Sequence, residues 1–201
     1  METIDISGAI GLAATGVLTL NFLLGMMLST GYKRFTLWKK LPAWAKRIDI
    51  NDVHNYTAYI AWGLIMTHIL LIPLDPSSKF RWVNLFVPNG GAPHQPLMVN
   101  LGILSLYALV IVIITTQKVI KRKMGFRTWK NIHLVSYGTA VLFVIHGVAM
   151  DPLLKDRPID WFDAEKMISE LCGVVLIAAS VMRYRYHISQ RRVSKPSLSQ
   201  I

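Results

Sequence analysis

Charge is scarce in this chain. Only 16% of its 201 residues are Asp, Glu, Lys or Arg, against about a quarter in soluble domains. Cysteine is almost missing: Cys172 stands alone, inside an apolar run. One cysteine excludes an intrachain disulfide, a Cys-ligated iron–sulfur cluster and a Cys-x-x-Cys-His attachment site. No Gly-x-Gly-x-x-Gly turn and no Walker loop occurs, so no nucleotide or flavin domain is visible. The opening Met-Glu-Thr-Ile-Asp lacks a positive n-region and no small-residue cleavage pattern follows, so the first apolar segment is expected to be retained. The longest polar stretches are about twenty residues, too short for a soluble domain of their own.

What the chain has is apolar length. It is 53% hydrophobic, with a mean hydropathy of +0.41. Long uncharged runs alternate with short basic ones, the pattern of an all-α membrane protein crossing the bilayer several times. The net charge of +11 therefore does not mark a nucleic-acid partner, because the cations fall where membrane loops belong.

Segments Ile6–Leu28, Val53–Leu74, Leu97–Gln117 and Ile132–Met150 contain no Asp, Glu, Lys or Arg. Each is near the ~20 residues needed to cross the hydrocarbon core. Pro73, Pro96 and Pro152 sit at their edges, where proline is tolerated. Met167–Met182 is shorter and carries Glu170, so it reads as a fifth span or as a re-entrant or interfacial helix. Trp161, Phe162, Tyr184 and Tyr186 flank it as interfacial anchors. One membrane domain over 1–201 follows, with a basic tail at 183–201 and an external turn at Pro88–Pro93.

Loop charge gives a direction. Lys33, Arg34, Lys39, Lys40, Lys46 and Arg47 follow the first span. Lys118, Lys121, Arg122, Lys123, Arg127 and Lys130 follow the third, and Arg183, Arg185, Arg191, Arg192 and Lys195 follow the fifth. The other loops hold only Lys79 and Arg81, or Lys155, Arg157 and Lys166 outnumbered by Asp151, Asp156, Asp160, Asp163 and Glu165. By the positive-inside rule the N-terminus lies outside and the C-terminus in the cytoplasm. A bacterial inner (plasma) membrane is the expected location.

Four of the six histidines form a pattern. His54 and His68 lie fourteen residues apart on the second span, and His133 and His146 thirteen apart on the fourth. The two spans run in the same direction, so His54 is level with His133 near the cytoplasm and His68 with His146 near the outer face. Each within-helix separation is about 20 Å, room for two stacked porphyrins. A pair of imidazoles is also what low-spin haem iron takes axially, an arrangement suited to electron transfer. With a single cysteine, any haem is held non-covalently.

Fourteen residues return to within about 40° of the starting azimuth, so His54 and His68 share a face. Ala58 and Ala61 would let a flat macrocycle approach it. Thirteen residues leave His133 and His146 about 140° apart, which calls for a kink, a π-bulge or differently set macrocycles. Gly138, beside Ser136, Thr139 and Ala140, is a reasonable place for the adjustment. The plainer alternative is that the histidines bridge helices or line a metal or proton path, but membrane histidines need partners or ligands, and two level pairs favour the latter. His94 and His187 stand outside the pattern and read as solvent-exposed.

His54-x13-His68 and His133-x12-His146, on helices separated by one further span, resemble the ferric reductase-like transmembrane domain. That family includes NADPH oxidases, ferric reductases and the membrane subunit of the bacterial periplasmic methionine sulfoxide reductase (MsrQ). The resemblance covers about residues 6–183. It implies two non-covalent b haems, the inner on His54 and His133 and the outer on His68 and His146. The larger members carry six spans and a cytoplasmic FAD- and NADPH-binding domain; neither the extra N-terminal span nor that domain is seen here. Electrons would then come from a separate flavoprotein reductase, with its own flavin, or from a quinol. They would pass to an outer acceptor: ferric iron, oxygen, a quinone or a redox protein. The resemblance thus implies an oxidoreductase component, a cytochrome b in function.

Haem propionates want basic partners. Arg127, with Lys130 and Trp129 before His133, is the inner candidate, although positive-inside topology also explains these cations; Arg47 lies upstream of His54. Arg81, beside Trp82 and near Lys79, is the outer candidate, against a solvated loop charge or an anionic acceptor's partner. Glu170 serves proton delivery, pairs with Arg81 or sits at the interface. Tyr56, Tyr59, Trp62 and Tyr137 either pack on porphyrin edges or fill ordinary helix contacts. Two competing readings are a quinol-oxidising cytochrome b subunit of a larger complex and a non-redox histidine-lined transporter. The uncharged spans and histidines set toward the helix ends count against transport.

Overall fold

The computed structural model describes residues 2–93, 95–154 and 164–193. His94, Lys155, Asp156, Arg157, Asp160, Trp161, Phe162, Asp163 and Lys195, all named above, lie outside the described residues. Those described form helices and connecting turns, with no strand among them. The long helices are α1 (Thr3–Thr30), α2 (Ile50–Leu71), α3 (Pro96–Thr116), α4 (Phe126–His133), α5 (Val135–Leu154) and α6 (Ala164–Val193). With α4 and α5 running on as one rod, five helices are long and apolar enough to cross a membrane.

The ends are set by local chemistry. At the start of α1 the Asp5 carboxylate accepts the Glu2 N–H at 3.1 Å. The helix stops at Gly31, whose φ of 67° is left-handed and whose N–H reaches the Met27 carbonyl. Asp49 caps α2 by accepting from the Asn51 N–H at 2.9 Å. Pro96 opens α3, at the position where a missing N–H costs nothing. The fifth segment is one continuous helix, with a span from Lys166 to Gln190, rather than a short re-entrant piece. Glu170 pairs with Lys166 one turn away at 4.0 Å, so the pairing with Arg81 gives way to a local one.

The adjustment expected at Gly138 lies elsewhere. Gly138 is inside the unbroken α5, and the regular helix is interrupted at Leu134, directly after His133. There the Tyr137 N–H bonds back to the Leu134 carbonyl, a three-residue step that tightens the rod and resets its azimuth.

The helices pack in an order that opens a gap. α1 lies along α2 and also touches α5 and α6, while α3 lies along α5. α2, with His54 and His68, is not closely packed on α4 or α5, which carry His133 and His146; each leans on its own neighbour. A central layer joins all five spans through Leu18 and Phe22 of α1, Ala61 of α2, Leu109 of α3, Ala140 and Phe143 of α5 and Leu176 of α6. Ala61 is fully buried and stands seven residues from both His54 and His68, so this layer lies midway between the histidine levels. Outward-facing apolar residues such as Leu20, Ile111, Leu171, Val174 and Ile177 are exposed, as a lipid-facing surface requires.

Candidate functional site

Above and below the central layer are two cavities, each lined by one level histidine pair. The larger, about 190 Å³, is lined by His68 and His146 together with Gly11, Thr15, Gly102, Ser105, Phe143 and Ser169. The smaller, about 60 Å³, is lined by His54 and His133 with Asn21, Phe22, Ala58, Tyr59, Thr116 and Ser136. The structure therefore brings together the residues paired by level in the sequence. His54 and His133 have ring centroids 6.2 Å apart and interplanar angle 74°.

Three of the four rings are held by the same device. His68 donates its Nδ1–H to the Ser7 carbonyl at 2.7 Å, His54 to the Asn21 carbonyl at 3.0 Å and His146 to the Met98 carbonyl at 2.9 Å. A carbonyl can only accept, so Nδ1 carries the proton in each case and Nε2 keeps its lone pair. One turn after each carbonyl stands a glycine against the same ring. A Cβ at Gly11 would lie 2.9 Å from His68, at Gly25 3.1 Å from His54 and at Gly102 2.8 Å from His146. The absent side chain is what lets the imidazole reach the backbone of the next helix.

Two of these contacts are reciprocal. Ser7 Oγ donates to the His68 carbonyl at 2.9 Å, and Asn21 Nδ2 donates to the His54 carbonyl at 2.5 Å and to Thr57 Oγ1 at 2.8 Å. Ser7 and Asn21 are fourteen residues apart on α1, matching His68 and His54 on the antiparallel α2. The sequence carried a signal for this arrangement in Gly11 and Gly25, also fourteen apart, but the carbonyl partners are invisible in it.

His133 is different. Its Nδ1 and the Trp129 Nε1 are buried with no hydrogen-bond partner. Instead Trp129 stacks on it, with centroids 5.2 Å apart and planes at 24°. Lys121 Nζ caps the Trp129 ring at 3.7 Å from its centroid, and the Arg183 guanidinium lies 5.0 Å from the centroid of Tyr137, one turn after His133. The cations gathered around this end are thus Lys121 and Arg183. Arg127 is exposed and lines neither cavity, and Arg81 is likewise exposed, its backbone N–H bonded to Asn84 Oδ1. Tyr56 and Trp62 face outward, whereas Tyr59 lines the smaller cavity and accepts from Gln117 Nε2. Tyr137 packs edge-on against Phe22. His187 is exposed, and Cys172 is a half-buried free thiol.

Five spans with a histidine-lined cavity on each side of an apolar layer define an all-helical membrane protein with two candidate sites. The chain belongs to the family of ferric reductase like transmembrane components, whose model matches residues 10–145. That stretch contains His54, His68 and His133 and stops one residue short of His146. No curated protein and no solved structure matches the chain. Membership makes it an oxidoreductase-type membrane component and suggests electron transfer across the bilayer.

Proposed function

We propose that the chain is a di-haem b-type cytochrome that carries electrons from a donor on its basic, cytoplasmic side to an acceptor on the outer side. The observation that carries this reading is the pairing of two histidines in each of two cavities, with Nε2 left as the free donor on three of the four rings. His54 and His133, with ring centroids 6.2 Å apart beside one cavity, are the residues that would hold one metal ion between them. Among the described residues no group of three or more His, Cys, Asp or Glu side chains gathers to hold a metal. Two protein ligands per site suit an ion whose remaining positions a macrocycle fills. The Nε2 lone pairs left on the anchored imidazoles are the donors that fit such a group.

In this reading His54 and His133 hold the inner haem and His68 and His146 the outer, and the bound iron supplies one-electron chemistry. The Ser7, Asn21 and Met98 carbonyls fix the tautomer and strengthen the donor nitrogen of their histidines. Lys121 and Arg183 provide positive charge beside the inner site, with Arg127 exposed at the same end of the bundle. The apolar layer around Ala61 keeps water from joining the two levels. The donor is a separate flavoprotein or a quinol, and the acceptor ferric iron, oxygen, a quinone or a redox protein. The basic loops set the C-terminus in the cytoplasm of a bacterial inner membrane.

Vesicles enclosing ferricyanide and containing the purified protein test this directly. With an impermeant reductant outside, the trapped ferricyanide should be reduced, and His68→Ala should stop the reduction. Reduction at the rate of protein-free vesicles would overturn the reading.

A further inference from the structure

The two histidine pairs are built unequally. Three rings sit on a carbonyl at position i with glycine at i+4: Ser7 with Gly11, Asn21 with Gly25, Met98 with Gly102. The matching place for His133 on α3 is fourteen residues beyond Met98 and Gly102, at Val112 and Thr116. Thr116 lines the same cavity as His133. By its spacing Thr116 takes the position that is glycine at the other three sites, and its hydroxyl donates to the Val112 carbonyl at 2.6 Å. Thr115 Oγ1 donates to the Ile111 carbonyl at 2.8 Å and lies 3.1 Å from the Val112 carbonyl. Threonine at this position therefore both fills the space and occupies the acceptor. The His133 Nδ1 is left buried without a hydrogen-bond partner, its ring touched by the Trp129 stack and the edge of His54.

We propose that Thr116 makes His133 the one unanchored ligand, so that the His54/His133 site releases its cofactor first while the His68/His146 site holds fast. Thr116 is a positioning residue here, acting through the imidazole it leaves unpaired. The inference rests on the reading of the histidine pairs as haem ligands. The physical reason is that a partner on the second ring nitrogen orients an imidazole ligand and raises its basicity, and losing such a partner weakens metal affinity about 10–100-fold. The outer site has two such partners and the inner site one.

The test is haem transfer from the full-length, haem-loaded protein in detergent to excess apomyoglobin, followed by absorbance after a pyridine haemochrome assay. Two phases of equal amplitude are expected, with rates differing by about 10–100-fold. Thr116→Gly combined with Thr115→Val frees the Val112 carbonyl and clears the space, and should slow the fast phase alone. Gly102→Ala, which crowds His146, should quicken the slow phase alone. Trp129→Leu should quicken the fast phase and serves if Gly102→Ala does not fold. A single phase, a fast phase unmoved by the threonine changes, or a fast phase that responds to Gly102→Ala would overturn the proposal while leaving the two-haem reading intact. A wild-type protein without haem would overturn that reading, and this inference with it.

Discussion

Asn21 and His54 each hold the other's main chain. The His54 ring donates to the Asn21 carbonyl, and the Asn21 side-chain amide donates to the His54 carbonyl. Ser7 and His68 repeat the exchange fourteen residues away, so α1 grips α2 at the level of both cavities. α2 is thereby fixed in rotation and in height against α1.

Asn21→Leu removes two donated bonds, to the His54 carbonyl and to Thr57 Oγ1. At about 0.5–1.5 kcal/mol per bond the variant should be destabilised by roughly 1–3 kcal/mol, and Ser7→Ala by about half as much. Thermal unfolding in detergent measures both. An unchanged midpoint in Asn21→Leu would mean that the clasp does not bear on stability.

Replacing each histidine separates the sites. His54→Ala and His133→Ala should each lower the haem content from two to one per chain, and His68→Ala and His146→Ala should remove the other haem. The haem-to-protein ratio and the surviving spectrum decide the pairing. If His54→Ala and His68→Ala lose the same haem, the pairing by level is wrong.

Glycine substitutions distinguish cradle from spacer. Gly11→Ala puts a methyl 2.9 Å from a His68 ring that is pinned and cannot swing aside, an overpacking cost of about 1–3 kcal/mol. Gly16→Ala, on the same helix, meets nothing within 4 Å and should be neutral or stabilise by about 0.5–1 kcal/mol. Equal responses at the two positions would remove the close approach as the reason for Gly11.

Much of this was legible in the chain, and the rest was hidden for identifiable reasons. The five spans follow from uncharged length, and the levels of the four histidines from helical rise once loop charge had set the direction. The fifth span was harder because Lys166 and Glu170 lower its apolarity; their mutual pairing carries them into the helix. The break at Leu134 has no compositional mark, whereas the small residues around Gly138 attract attention without interrupting the helix. Arg127 is near His133 in sequence but exposed, and the stack from Lys121 through Trp129 to His133 has no signature in the sequence. Backbone carbonyls leave no residue signature, so only the matching glycine spacing pointed to the anchors.

Asp75 links the loop after α2 to the start of α1 and should give stability a dependence on acid pH. Its carboxylate accepts from Ser77 Oγ at 2.6 Å, from the Ile4 N–H at 2.9 Å and from the Ser77 N–H at 2.9 Å. These donors, the Ser77 hydroxyl first, hold the carboxyl below its ordinary range. A lowered folded value means the contribution is complete above the unfolded value of about 4 and is lost as pH falls through the folded one. Unfolding midpoints measured from pH 6 down to pH 2 should therefore drop in the wild type, with a smaller drop in Asp75→Asn. Parallel curves would show that Asp75 takes no part.

If the two histidine-lined cavities hold haem, a reduced-minus-oxidised absorption spectrum of the purified protein, calibrated by pyridine haemochrome, will show a b-type α-band and two haems per chain. Protein that folds with its five spans but carries no haem would contradict that reading.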